Sequence, residues 1–200
     1  MIFYEIEPYK ISKYSIKVSP LDASDISKYV RNCASLAALL EVSAYPKPGN
    51  IHRLSDFQDT QYEHFLAGGV VLGSVMGELA KKSSSSLNWS EVGLGYSIKA
   101  AVDEMYQWQS GGNIHLGVIL LFAPLSASAG AILSTRDLSA GILRDYTNKI
   151  ISKATADDTI AIYQAIDRAM SPENLGSAEK LDVKNIDSRI KIRQENITPL

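Results

Sequence analysis

Two hundred residues suffice for one domain with a substantial core, or for one domain with an appendage. A hydrophobic fraction of 46% and a charged fraction of 21% are those of an ordinary soluble globule. The net charge of -2 gives no global attraction for nucleic acid or an anionic membrane, so neither is expected as a partner, and any anion site must be a local cluster. The one cysteine, Cys33, excludes an intrachain disulfide and a cysteine-based metal site and suits a reducing, cytoplasmic compartment.

Residues 1–20 read as an N-terminal extension. Tyr14, Ile16 and Val18 alternate as in a short strand or hairpin, and the segment lacks the pattern of a signal peptide. Residues 21–200 read as a single helical domain. Ile26, Tyr29, Val30, Cys33, Ala37 and Leu40 recur at three- and four-residue steps, which predicts a first helix with Cys33 on its apolar face. Asp22 or Ser24 can cap it, and Pro46 and Pro48 end it near Ala44. A second helix begins at the capping box Thr60-x-x-Glu63 and runs through Phe65, Leu66, Val70, Met76 and Leu79. Gly69, Gly73 and Gly77 form a smooth stripe on it where another helix can approach closely, and Lys81 to Ser86 reads as a solvated loop. A third helix follows the box Asn88-x-x-Glu91 and continues through Val92, Ile98, Val102 and Met105 to near Gln109.

The run from Val118 to Ser134, "VILLFAPLSASAGAILS", is apolar on all sides. Pro124, Ser126, Ser128, Gly130 and Ser134 interrupt it, and it falls short of the ~20 apolar residues of a membrane span, so it is expected to be a central buried helix over 118–134. Two more helices are expected, from Asp137 to near Ser152 and from Asp157 to Met170, the second capped by Thr155-x-x-Asp158. The tail reads as a polar loop and a short basic stretch. The fold class is therefore all-α, a compact multi-helix domain.

Chemistry concentrates in two stretches. "EVSAYPKPGNIHRLSDFQDTQYEHFL", Glu41 to Leu66, is a charged bend. Glu41 falls in the last turn of its helix, where the macrodipole disfavours an anion; it is either an exposed carboxylate paired with Lys47 or Arg53, or one held at the mouth of a site. Lys47, His52 and Arg53 can together bind a polyphosphate, Arg53 by bidentate contacts. Asp59 alone can be a helix cap, but Asp56 and Asp59 beside three basic side chains suit Mg²⁺ held on phosphates. The second stretch, "SGGNIHLG", places Gly111, Gly112 and Asn113 before the apolar helix, where free backbone N–H groups can face an anion. His115 at that helix mouth is either a structural histidine or a working one. No P-loop, Rossmann glycine pattern or zinc motif is present.

Together the bend and "GGNIHLGVILLFAPLSASAG" resemble the triphosphoribosyl-dephospho-CoA synthase family, clearly from about Ser35 to Gly130 and more weakly through "AIYQAIDRAMSPENLGSAEKLDV". Glu41, Lys47, Pro48, Gly49, Arg53, Asp56 and Asp59 fall on the family's polar signature, and Asn113, His115 and Gly117 on its N-T-H-K-G motif. Leu116 stands where the family usually has Lys, and Ile114 where it has Thr; the surrounding run looks more like the archaeal branch. Members also extend past Leu200, so a final helical segment is expected beyond it.

The resemblance implies a helical, Mg²⁺-dependent transferase. It would move the triphosphoribosyl part of ATP to the ribose 2′-hydroxyl of dephospho-CoA, release adenine, and could form a homo-oligomer. On that reading Glu41 stabilises positive charge on the ribose or serves as base, with His115 or Asp103 in the other role. Lys47 and Arg53 neutralise the triphosphate, Asp56 and Asp59 hold Mg²⁺, and the Gly111, Gly112 and Asn113 amides cradle a phosphate. The competing readings are a nucleotide glycosyl transferase or hydrolase with another acceptor, and a protein that binds a nucleotide or CoA derivative without turnover.

Overall fold

The computed structural model describes residues 20–171 and 173–199. The strand or hairpin expected near the N-terminus lies outside the described residues. Seven helices follow in order among those described: α1 (Ala23–Ser43), α2 (Tyr62–Ser85), α3 (Leu94–Trp108), α4 (Leu116–Leu133), α5 (Ala140–Ile151), α6 (Ala156–Ala169) and α7 (Ile186–Gln194). A 3₁₀ turn, Trp89–Glu91, precedes α3. No strand forms among the described residues, so the fold is all-α.

Asp22 caps α1, its Oδ1 accepting from the Asp25 N–H at 2.9 Å. The buried line of α1 is Ile26, Val30, Ala34, Ala38 and Val42, whereas Cys33, Ala37 and Leu40 are exposed. The expected apolar face is thus rotated, and the glycine stripe of α2 explains the rotation. A Cβ at Gly73 would lie 2.0 Å from Ser35 Oγ and 2.7 Å from the Arg31 carbonyl, and one at Gly77 would lie 2.6 Å from the Ser27 carbonyl. That close approach draws the Ser27, Arg31 and Ser35 side of α1 onto α2 and turns Cys33 outward.

α2 starts at Tyr62, not Thr60. Its first turn is capped by Asp56, whose Oδ1 accepts from Tyr62 N–H at 2.8 Å, and by His64, whose Nδ1 accepts from Gln61 N–H at 3.0 Å. Thr60 does not form the expected box; its hydroxyl donates to the Gly111 carbonyl and the helix starts two residues later. At its other end α2 continues through the stretch expected as a loop, with Ser83 buried. Asn88 caps only the 3₁₀ turn, since Gly93 at φ 70° breaks the chain's direction before α3 begins.

α4 packs on α1, α2, α3 and α5. Gly130 lets it cross α2 closely: a Cβ there would lie 2.0 Å from the Ala80 carbonyl. With a mean hydropathy of 2.1 it is long and apolar enough to cross a membrane, yet 61% of it is buried within the helical packing. The helix is not fully ringed, for Gly117, Leu121 and Leu125 form an exposed stripe. α5 begins at Ala140 behind the Ser139 cap rather than at Asp137. In α6 the box of Thr155 and Asp158 forms as expected, and the buried Asp158 carboxylate also accepts from Gly95 N–H at 2.8 Å, tying α6 to α3. α7 occupies the short basic stretch that follows the polar loop of the tail, where no helix is expected from the sequence. One fully buried side chain, Ile192, seats it with Ser188 a turn earlier; Asn185 caps it by accepting from Asp187 N–H, and Arg189 and Arg193 pair with Asp167 and Asp157 of α6.

Candidate active site

Between α1 and α2 the chain makes a bend whose backbone is tied by short-range bonds. The Tyr45–Pro46 peptide is cis, and Gly49 at φ 74° permits a turn closed by Asn50 N–H on the Lys47 carbonyl at 3.2 Å. Ile51 is buried and anchors the bend. His52 and Ser55 exchange backbone bonds around a tight loop, inside which His52 Nδ1 accepts from Leu54 N–H at 3.2 Å. Its ring nitrogen therefore shapes the turn.

The loop ahead of α4 is held by Gln109. Its Oε1 accepts from Gly111 N–H, and its Nε2 donates to the Gly112 carbonyl at 3.2 Å. Gly112 adopts φ 70° and Asn113 Oδ1 accepts from Leu116 N–H at 3.2 Å, capping the head of α4. Gly111 lies flat on His64, where a Cβ would come within 2.2 Å of Nδ1. Thr60 Oγ1 donates to the Gly111 carbonyl at 2.9 Å, so the bend and the loop are joined directly.

A cleft of about 380 Å³ opens where they meet. Glu41, Asn50, Thr60, Asn113 and His115 bring polar groups to it; Phe57, Phe65, Ile114 and Leu116 bring apolar ones, and Gly117 and Val118 of the first turn of α4 also line it. The Glu41 carboxylate pairs with Lys47 Nζ at 2.7 Å, and this lysine side chain is only 13% exposed. His115 is 1% exposed. Its Nε2 meets the Phe65 carbonyl at 3.0 Å, and its Nδ1 has no partner in the protein. Burial holds this imidazole below the ordinary histidine range; the Phe65 carbonyl and Glu41 oppose that shift, and Lys47 adds to it.

The structure thus brings Glu41, Asn113 and His115 to one cleft. Lys47, Gly49 and His52 line an adjoining cavity of about 360 Å³ that shares Asn50 and Phe57 with it. Arg53, Asp56 and Asp59 are exposed on the bend and line neither cavity. One oxygen of Asp56 is committed to Tyr62 N–H, and Asp59 Oδ1 lies 3.2 Å from Thr60 Oγ1, whose proton goes to the Gly111 carbonyl. Asp103 lies outside the cleft, on α3, paired with Lys99. The Gly111 amide, expected to face a phosphate, is instead taken by Gln109, while Gly112 and Gly117 have open space around them. No three metal-ligating side chains converge among the described residues. A larger cavity, about 640 Å³ between α2 and α3, mixes Lys81 and Lys82 with Glu78 and Glu104 and shares no residue with the cleft.

Sequence reasoning missed Asn50, Thr60, Phe65 and Gln109. Gln109 stands just before the glycines and could have been read as their brace; the Phe65 contribution is a backbone carbonyl, which no residue type announces.

A family model for ATP:dephospho-CoA triphosphoribosyl transferase matches residues 27–200, a span that includes the bend, the loop and all of α2 to α7. The chain belongs to this family. It is a transferase that moves the triphosphoribosyl group of ATP to dephospho-CoA. No curated protein and no solved structure matches it. The cleft sets Glu41 and His115 on its lining, with Lys47 paired to Glu41.

Proposed function

We propose that this cleft is where the triphosphoribosyl group changes hands, with Glu41 and His115 flanking the reacting ribose. The observation that carries the reading is their convergence: the last turn of α1 and the head of α4 deliver them to one wall-to-wall cavity. Breaking the bond between C1′ and adenine develops positive charge on the ribose. A carboxylate beside it stabilises that charge more in the transition state than in the ground state. The ribose 2′-hydroxyl of dephospho-CoA attacks C1′ as that bond breaks, and its proton needs an acceptor. Glu41 and His115 are the two groups placed for these roles, with Asp103 standing off on α3.

Lys47, reaching from the bend to Glu41, and the exposed Arg53 are placed to neutralise the triphosphate. The open first turn of α4, at Gly117, offers backbone N–H groups to one phosphate. Asp56 and Asp59 are hard-oxygen donors on the exposed bend, outside the lining of both cavities, and Asp56 keeps one oxygen beyond its bond to Tyr62. That donor set fits Mg²⁺, which takes one or two carboxylates and completes its shell with substrate phosphates and water. When bound, the ion would supply neutralising charge to the triphosphate. The one cysteine is a free thiol, which supports a cytoplasmic setting.

The test is an incubation with ATP, Mg²⁺ and dephospho-CoA, following free adenine and the mass of the product. Adenine release that depends on the acceptor, with a product heavier by the triphosphoribosyl group, is expected. Release that ignores the acceptor would make the cleft a hydrolytic one. Asp56→Asn and Asp59→Asn should raise the Mg²⁺ concentration needed for half-maximal rate; unchanged dependence in both would put the ion elsewhere.

A further inference from the structure

We infer that His115 takes the acceptor hydroxyl's proton through Nδ1, and that the Phe65 carbonyl and Gly68 lock the ring so that only this nitrogen is offered. The inference rests on the cleft being the transfer site and settles which of its two groups is the base.

A neutral imidazole carries one N–H and one bare lone pair, and a carbonyl oxygen can only accept. The 3.0 Å contact with Phe65 therefore places the proton on Nε2. Nδ1 is then a lone-pair acceptor, buried and without a partner in the protein. Buried polar atoms are seldom left so, and one at a ligand cleft is explained by a hydrogen that the ligand brings. The ring's direction follows from its other edge. A Cβ at Gly68 would lie 2.9 Å from Cδ2 of His115 and 2.5 Å from Cδ1 of Ile114, so the Cδ2 edge is seated flat on α2. Nδ1 is on the opposite side of the ring and points away from α2. The Phe65 ring meets the imidazole edge-on at 5.2 Å and closes a further side.

The charged groups that act on the ring are Glu41 from α1 and Lys47 from the bend; from α2, Phe65 and Gly68 pack against it. With the Nε2 proton held on the Phe65 carbonyl and Nδ1 bare, the ring has no proton aimed at adenine, so the acid role is not assigned to His115. Glu41 is left to face the developing charge on the ribose. In the step, the hydroxyl oxygen bonds to C1′ as the bond from C1′ to adenine breaks. The bonding pair leaves with adenine, which takes a proton from solvent. The hydroxyl proton passes to Nδ1 and from there returns to solvent, so His115 ends as it began.

Three measurements test this. In the [15N]histidine-labelled chain, the His115 Nδ1 should give an unprotonated-type signal and Nε2 a protonated one; the reverse tautomer would overturn the proposal, whatever any variant does. His115→Gln keeps a donor for the Phe65 carbonyl but has no base, so kcat should fall about 10²–10⁴-fold with little change in ATP affinity. The acidic limb of the wild-type log(kcat/KM) profile should disappear in that variant. Gly68→Ala, which leaves His115 in the chain but unseats its ring, should lower kcat at least about tenfold with ATP affinity kept, as misplacement of a catalytic group does. Near wild-type turnover in His115→Gln beside a dead Glu41→Gln would sink the role of His115 alone; full turnover in both would sink the cleft itself.

Discussion

The two walls of the cleft carry opposite kinds of order. The wall from Glu41 to Thr60 is charged and mostly exposed, tied together by turns within a few residues of one another. The wall from Gln109 to Val118 is nearly uncharged and has a buried centre at Ile114, His115 and Leu116; Gln109 braces it locally, Thr60 ties it to the bend and the Phe65 carbonyl ties it to α2. A polyanion can be gripped by side chains that adjust as it arrives, because Coulomb attraction falls off slowly with distance. Proton transfer needs an atom in place to within a fraction of an ångström, which only a packed environment supplies. The first wall is suited to binding and the second to timing.

Glu41→Gln gives the largest break in that contrast, because Glu41 sits on the binding wall but is assigned to the chemistry. We expect kcat for adenine release to fall about 10²–10³-fold, with a melting temperature within a few degrees of wild type. A loss confined to KM would place Glu41 with the binding groups. Lys47→Met should behave as a member of the binding wall. KM for ATP should rise about 10–100-fold, the equivalent of one charge-assisted hydrogen bond, while kcat at saturation changes little.

The buried wall predicts a pH effect on stability. His115 is held below its ordinary range by burial, so the unfolded chain binds its proton more readily than the folded one. This contribution is fully present above the unfolded value, about 6.5, and declines as pH falls from there toward the lowered folded value. Urea titrations across that range should show wild-type stability falling with acidification more steeply than that of His115→Gln; parallel curves would mean the ring is not held neutral.

The smallest effect sharpens the contrast most. A Cβ at Gly117 meets nothing within 4 Å. Gly117→Ala should therefore stabilise α4 by about 0.5–1 kcal/mol, yet weaken ATP binding by standing where a phosphate would approach the first turn. A variant that melts higher and binds worse is the expected result, read by calorimetry on one sample.

Much of the fold was legible because it depends on local chemistry. Asp22, Thr155 and Asp158 cap as their types dictate, and the glycine stripe on α2 marks a close helix crossing. What escaped was decided by tertiary partners. Cys33 faces outward because α1 is rotated onto that same stripe, and Thr60 leaves its capping box for a carbonyl of the α4 loop. α7 was missed because it is short and buries one large apolar residue, Ile192, too few to set up a periodic pattern. At the cleft, the meeting of Glu41, Asn113 and His115 followed from two motifs, whereas the roles of Gln109 and the Phe65 carbonyl depend on geometry that residue types do not encode.

The hydrogen bond from Thr60 to Gly111 spans 51 positions. During synthesis the bend is therefore complete well before the residue it must hold has left the ribosome. No shorter nascent piece can present both walls, and closing so long a loop comes late because its entropy must be overcome first. ATP would then have only half a site to recognise until α4 has docked. Binding would act as a seal on the finished domain, raising its stability by mass action without rescuing an incomplete one.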